Sequence, residues 1–477
     1  MQLIFDNIVY VLDFDFLREF TYTTMLLRSV SGVRFTIGGD TTPQVINKYI
    51  DAFATWISNG TVVIGNDGRP TGKWIQHLVI GTLAAKGISV VNIGIAPTPT
   101  IQLAVKELNA NGGISISASH NPQEWNGLKF LTVEGICLSQ EQNAELFKIV
   151  DEPSLSYPVK LTDFSVSEPP FDNSSLCNLP FVETLDLVQK IRDKKYHTVV
   201  DAVNASGSSR IPAFLESIGC SVYPLFCDES GVFPHTPEPI SENLVELASI
   251  TKREHASVGI AVDPDADRLV LINELGETIG EEKTIALATE SLLYFKQKYG
   301  ILYEYDNSVS VNLSTSKMVE DVTKKYGASI HRSPVGEVNV VGEMKRTNSV
   351  IGGEGSGGVI LPVSHYGRDS FVGILLILGL MAEKNAKLSE LASALPQYSM
   401  VKMKKNFQGS LIEIVSLIQK KYPNNEIDTR DGVKVYFENS WVHFRTSNTE
   451  PIVRCIAEAP TENEAQNLAN SFLALLP

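Results

Sequence analysis

The sequence predicts an α/β fold: three successive α/β units with mixed sheets, followed by a smaller α+β domain. Short β-branched apolar runs alternate with helical periodicity, which is the pattern of βαβ units. The rhythm starts three times, and the last stretch of chain abandons it for consecutive strands. At roughly 100–200 residues per domain, 477 residues also require several domains.

Taken in order, 61–65 (TVVIG) reads as a buried strand, 74–86 as a helix, 88–94 as a strand, 98–108 as a helix and 113–117 as a strand. The second unit has strands at 198–202, 221–225 and 258–262 and helices at 211–218 and 242–253. In the third, strands at 309–313, 329–331 and near 350 surround a helix at 317–325, and a long helix follows Asp369. The tail has strands at 401–407, 433–437, 441–445 and 452–457, with helices at 411–422 and from 461. Linkers are expected around 168–178, near Gly280 and near Pro396, giving domains at 25–173, 174–279, 280–393 and 397–477.

Composition excludes several classes of function. With 40 basic and 55 acidic side chains the net charge is −15, so the chain lacks the basic face that nucleic acid or an anionic membrane requires. Any anion must be met locally. The longest uncharged apolar run, 371–382, falls short of the ~20 residues that span a bilayer and reads as a buried helix. Five scattered cysteines with no C-x-x-C pair suggest neither a disulfide framework nor a zinc site, and they fit a cytoplasmic protein.

Four loops carry chemistry. The strand ending at Ser117 runs into Ser-Ala-Ser-His-Asn-Pro, placing Ser119 and His120 where open α/β sheets present ligand groups. Ser119 reads as a nucleophile or as a turn residue; no G-x-S-x-G elbow supports a serine hydrolase. After 258–262 comes Asp263-Pro-Asp265-Ala-Asp267-Arg268, three carboxylates that repel unless a cation neutralises them. Hard oxygen donors suit Mg²⁺ or Ca²⁺. Arg268 in place of an EF-hand glycine argues against calcium, and a solvated acidic turn is the alternative.

Gly353 to Gly358 forms a G-x-G-x-x-G pattern, but Val-Ile-Leu-Pro follows and cannot open a helix, so a nucleotide fingerprint is rejected. The loop instead presents Glu354 and Ser356 to sugar hydroxyls, or serves only as a turn. Finally, Arg445-Thr-Ser447-Asn448-Thr449-Glu-Pro451, with Arg454 beyond it, makes a phosphate cradle or a surface turn.

In this order the four loops resemble those of the α-D-phosphohexomutase family, as do Ser31-Gly-Val-Arg34 and Gly65-Asn-Asp-Gly-Arg69-Pro. The resemblance implies four domains around a central cleft and an isomerase that moves phosphate between C6 and C1 of a hexose phosphate. It implies Mg²⁺ held by Asp263, Asp265, Asp267 and Ser119, a phosphoserine at Ser119, and a hexose 1,6-bisphosphate as intermediate and activator. Arg34, His120 and Lys129 would assist transfer, Lys129 as general base or acid. Arg268, Glu354, Ser356, Arg445, Ser447, Asn448, Thr449 and Arg454 would bind the sugar phosphate.

Glu124-Trp125, the proline of the acidic loop and the GEGSGG loop resemble the phosphoglucosamine mutase subgroup, which interconverts glucosamine 6-phosphate and glucosamine 1-phosphate. Glucose or mannose phosphates are the alternative substrates; a phosphatase and an inactive sugar-phosphate scaffold are the others. A monomer or homodimer with a small-molecule substrate is expected. Two departures stand out: Gly358 where the family often has His, a role His365 is a candidate to fill, and Phe35 after Arg34. Residues 1–24 are expected to be an extension outside the core.

Overall fold

Four sheets follow one another along the chain in the computed structural model, which describes residues 25–38, 41–152, 164–407, 411–446 and 452–476. It also describes a short antiparallel pair, Gln2–Phe5 with Ile8–Val11. In the first sheet Gly112–Ile116 lies parallel to Thr61–Asn66, which is parallel to Ser89–Ile95. On its other side Trp125–Leu131, Gly32–Thr36 and Leu26–Ser29 run antiparallel. The sheet is therefore mixed. The register sets Lys129 directly opposite Ser115, on the same face and one turn of chain from the Ser119 loop.

The second and third sheets repeat one plan. His197–Asp201 lies between Ser221–Leu225 and Val258–Val262, all parallel, before the chain reverses into Leu269–Ile272. Asp306–Asn312 lies between Ser329–Ser333 and Ser349–Glu354, before the chain reverses into Gly358–Leu361 and His365–Arg368. The acidic loop and the glycine loop thus occupy equivalent reversals, each leaving the carboxyl end of a parallel strand. That is where open α/β sheets present ligand groups.

One continuous apolar core runs from Leu176 to Leu395 and joins these two sheets. The run expected to be a buried helix is one: Ser370–Lys384 is buried from Ser370 through Ala382. Each of its leucines and isoleucines stabilises the packing by roughly 1.5–3 kcal/mol. Asp369 caps it, accepting from Phe371 N at 2.7 Å and Val372 N at 3.3 Å. Among the described residues no helix is long and apolar enough to cross a membrane, and the five cysteines are unpaired.

The last sheet is antiparallel throughout, in the order Ser399–Asn406, Ile452–Ala459, Trp441–Thr446, Val433–Tyr436 and Ile427–Asp428. It meets the third unit through polar groups: Lys434 Nζ donates to Leu313 O at 2.6 Å, and Lys317 N to Glu458 Oε1 at 2.8 Å. His443 lies here, fully buried, between Ser314 Oγ at 2.9 Å and the Asp431 carbonyl at 2.6 Å. A carbonyl only accepts, so Nε2 carries the hydrogen and Nδ1 accepts from Ser314.

Burial first, then the Lys434 charge, pushes His443 down to about 4 from an ordinary 6.5. The unfolded chain therefore binds the extra proton between these values. Stability is full above pH ~6.5 and falls by about 3 kcal/mol as pH approaches 4. Denaturant unfolding between pH 5 and 7.5 should show this slope, and His443→Gln should flatten it. An identical slope in the variant would exclude His443 as its source.

Candidate active site

Ser119 follows the strand Gly112–Ile116 and is buried, with φ of 53°, a left-handed conformation that a non-glycine residue adopts at a cost of about 1–2 kcal/mol. Arg69 holds the turn. Its guanidinium donates to the carbonyls of Ser119 at 2.7 Å, Asn121 at 2.7 Å and Pro122 at 2.6 Å, while Nε pairs with Asp67 at 3.0 Å. Arg34 Nη1 donates to Asn121 Oδ1 at 2.7 Å; its buried Nε has no partner among the described residues.

Ser119 Oγ donates to Asp263 Oδ2 at 3.1 Å, and His120 Nδ1 lies 3.2 Å away. Burial, followed by the Arg268 and Arg34 charges, holds the His120 imidazole well below its ordinary value. It is neutral, and so able to take a proton from Oγ. Arg268 Nη2 lies 3.5 Å from His120 Nε2, and Nη1 3.5 Å from Glu238.

Asp263, Asp265 and Asp267 are fully buried, with one oxygen of each within 4.8 Å of the others. Three units stitch their loop in place. Thr98 N donates to Asp265 O at 2.9 Å, Ser206 Oγ to Pro264 O at 2.7 Å, and Ser370 Oγ to Ala266 O at 2.7 Å. Asp265 Oδ2 accepts from Thr98 Oγ1 at 2.7 Å and from Lys129 Nζ, which also lies 3.2 Å from Asp267 Oδ2. Burial opposes the Lys129 charge, but Asp265 and Asp267 outweigh it and raise its pKa.

Lys129 is thus ion-paired with both carboxylates, while His120 stands beside the Ser119 hydroxyl. Burial first, then the Asp267 and Asp265 charges, push the Asp263 carboxyl well up. Asp265 Oδ1 and Asp267 Oδ1 are buried with no hydrogen-bond partner. Orphaned hard oxygens beside a repelled carboxyl and the Ser119 hydroxyl fit a small divalent cation such as Mg²⁺.

The glycine loop is the tight turn between Ser349–Glu354 and Gly358–Leu361, with no helix behind it. At Gly357, φ is 92° and a Cβ would approach Leu269 O to 2.5 Å, so only glycine fits. Glu354 is 5% exposed; Oε1 accepts from Asn312 Nδ2 at 2.7 Å and Gly336 N at 2.9 Å. Ser356 is half-buried at the turn. Arg368 reaches Glu354 Oε2 at 2.8 Å, Glu337 Oε2 at 3.1 Å and Asp267 Oδ2 at 2.6 Å.

Of the phosphate loop, Ser447, Asn448 and Thr449 lie outside the described residues; Arg445 and Arg454 are cross-strand partners. Lys404 stands opposite Arg454 on its other side. Like charges directly opposite one another are unfavourable in a sheet, and here three cations stand in a row, Lys404 and Arg454 exposed to solvent. Arg445 Nε lies 2.9 Å from Asp431 Oδ2, which also accepts from Val335 N at 2.8 Å. That ties the row of cations to the segment that donates to Glu354.

The chain matches four phosphoglucomutase/phosphomannomutase descriptions in order: alpha/beta/alpha domain I over 25–156, domain II over 180–276, domain III over 282–398, and the C-terminal domain over 383–475. A Thermococcus kodakarensis phosphoglucomutase/phosphomannomutase is 34% identical across 93% of this chain and 97% of its own. The chain belongs to this family. It is a phosphohexomutase, an isomerase of the α-D-phosphohexomutase group.

A phosphoglucosamine/phosphogalactosamine mutase of Sulfurisphaera tokodaii is 31% identical over 94% of this mutase and 98% of its own chain. The fold matches a Burkholderia thailandensis family protein, with TM-score 0.77 at 23% identity over 94% and 97% of the two chains.

The departure at Gly358 has a physical counterpart in the mutase. A Cβ there would meet Arg368 Cδ at 2.3 Å, so glycine makes room for the Arg368 arm. His365, the candidate for the vacant imidazole role, is buried, and its Nε2 bonds the helix-capping Asp369 at 2.9 Å. Sequence reasoning also missed Glu337 and Lys404. An arginine beside Asp369 at the mouth of an apolar helix was the available signal for Arg368.

Proposed function

We propose that this phosphohexomutase is a cytoplasmic phosphoglucosamine mutase, interconverting glucosamine 6-phosphate and glucosamine 1-phosphate through a phosphoserine at Ser119 and a bound 1,6-bisphosphate. The observation that carries the phosphoserine route is the meeting of a strained, buried Ser119 with Asp263 at 3.1 Å and neutral His120 at 3.2 Å. The Sulfurisphaera relative and the GEGSGG loop support the amino-sugar substrate.

Asp263, Asp265, Asp267 and the Ser119 oxygen would hold Mg²⁺, which would supply charge neutralisation at the transferring phosphoryl group. His120 takes the Ser119 proton as Oγ accepts the phosphoryl group from the bisphosphate; the bond from phosphorus to the sugar oxygen breaks, and that same proton passes from His120 to the released oxygen, which leaves as a hydroxyl. In the reverse step the sugar hydroxyl attacks the phosphoserine and Ser119 regains its proton. Arg34 and Lys129 offset charge on the group in flight. Arg268 lines the approach, Glu354 and Ser356 take sugar hydroxyls, and Arg445, Arg454 and the 447–449 loop hold the phosphate that is not reacting.

The deciding measurement is kcat/KM for glucosamine 6-phosphate, glucose 6-phosphate and mannose 6-phosphate, each with Mg²⁺ and a trace of hexose 1,6-bisphosphate. A clear preference for the amino sugar is expected. Preference for glucose or mannose would retain the chemistry and replace the substrate. Arg445→Ala should raise KM for the sugar phosphate roughly 10-fold or more, since a charge-assisted contact is worth about 1.5–3 kcal/mol, and should change Tm little. An unchanged KM would remove Arg445 from the cradle.

A further inference from the structure

We propose, resting on the mutase reading above, that Arg368 is a positioning residue. Its guanidinium sets the sugar-facing carboxylate of Glu354 and the acidic triad in one frame. Its three nitrogens each engage a different carboxylate: Nη2 holds Asp267 Oδ2 at 2.6 Å, Nη1 holds Glu354 Oε2 at 2.8 Å and Nε holds Glu337 Oε2 at 3.1 Å. These carboxylates come from the acidic loop, the glycine loop and the start of the helix Glu337–Thr347. Glu337 Oε1 in turn accepts from Gln102 Nε2 of the first unit at 3.1 Å. A planar guanidinium fixes the angles among its partners, which an ammonium does not.

The arrangement leaves each carboxylate with a defined job. Arg368 and Lys129 share Asp267 Oδ2, so Oδ1, which accepts no hydrogen bond and has only Arg268 Nε at 4.0 Å, is the oxygen left for a cation. Glu354 is held from both sides, by Arg368 on Oε2 and by Asn312 and Gly336 N on Oε1, so it cannot rotate away from a sugar. The arm reaches this point only because Gly358 has no Cβ.

The two duties predict effects of opposite sign. Arg368→Gln withdraws a positive charge from Asp267, which favours cation binding, and frees Glu354, which weakens sugar binding. In calorimetric titration of the full chain without bisphosphate primer, MgCl2 should bind at least about threefold more tightly. Glucosamine 6-phosphate and glucose 6-phosphate should bind roughly tenfold more weakly. Gly358→Ala keeps the charge but displaces the arm, and should reproduce the sugar-phosphate defect. Because Gly358 matters only by admitting Arg368, the double variant should bind sugar phosphate no worse than Arg368→Gln alone.

Weakening of both ligands together with a lower Tm would mean general loosening and would overturn the proposal. So would unchanged affinities, or fully additive losses in the double variant. Wild-type protein that binds no hexose phosphate would overturn the mutase reading itself, whereas normal wild-type binding with an unaltered variant removes Arg368 alone.

Discussion

Ser119→Ala should abolish mutase turnover, on the order of 10⁴-fold or more, as removal of a covalent nucleophile would, and leave the fold intact. The side chain donates a single hydrogen bond to Asp263 and lies beside His120, while the loop is held by Arg69 through backbone carbonyls that alanine retains. Alanine inherits the unfavourable φ of 53°, so unfolding should be nearly unchanged. Ser119→Gly separates strain from chemistry. It should be equally inactive yet more stable by about 1 kcal/mol, because glycine adopts that φ freely. Isomer formation measured by a coupled assay, alongside Tm, checks both; retained turnover in either variant would sink the nucleophile assignment.

The second large effect falls on Asp265. Its carboxylate neutralises Lys129 and accepts from Thr98 Oγ1, so Asp265→Ala strands a buried ammonium against Asp267 alone, 3.2 Å away. Breaking a buried ion pair costs about 3–5 kcal/mol. The rate should fall by orders of magnitude and lose its response to added Mg²⁺. Asp265→Asn keeps the shape and the Thr98 contact, so a Tm above that of the alanine variant is expected with the same loss of Mg²⁺ response. Chelation of the wild-type enzyme should abolish activity, and Mg²⁺ should restore it. A normal rate in Asp265→Asn would remove the metal role.

These two predictions join residues 144 positions apart: Ser119 and Asp263 touch only because two separate sheets deliver their strand ends to one place. Each loop was legible where a β-branched run stops abruptly at hydroxyls or carboxylates. Some elements were not. Trp125–Leu131, not among the expected strands, is an inner antiparallel strand in which Asn126 is buried and bonded to Thr71 at 2.8 Å. The helix Glu281–Tyr299 is packed between two sheets and buried on most sides, so it lacks the one-sided apolar stripe that marks an amphipathic helix.

The sequence by itself determined the α/β class, the order of the four loops and the chemical type of each, because strand periodicity and clustered like charges are local properties. Only the tertiary structure decided which groups face one another. Lys129 meets Asp265 and Asp267 because the antiparallel strand that carries it runs beside the strand leading into the Ser119 loop. His365 became part of a helix cap because Asp369 lies within reach of its ring. Arg368 entered the site because one missing Cβ at Gly358 opened a path to three carboxylates brought from distant parts of the chain. Electrostatic partnership falls off over a few ångströms, and those ångströms are set by packing that no local pattern encodes.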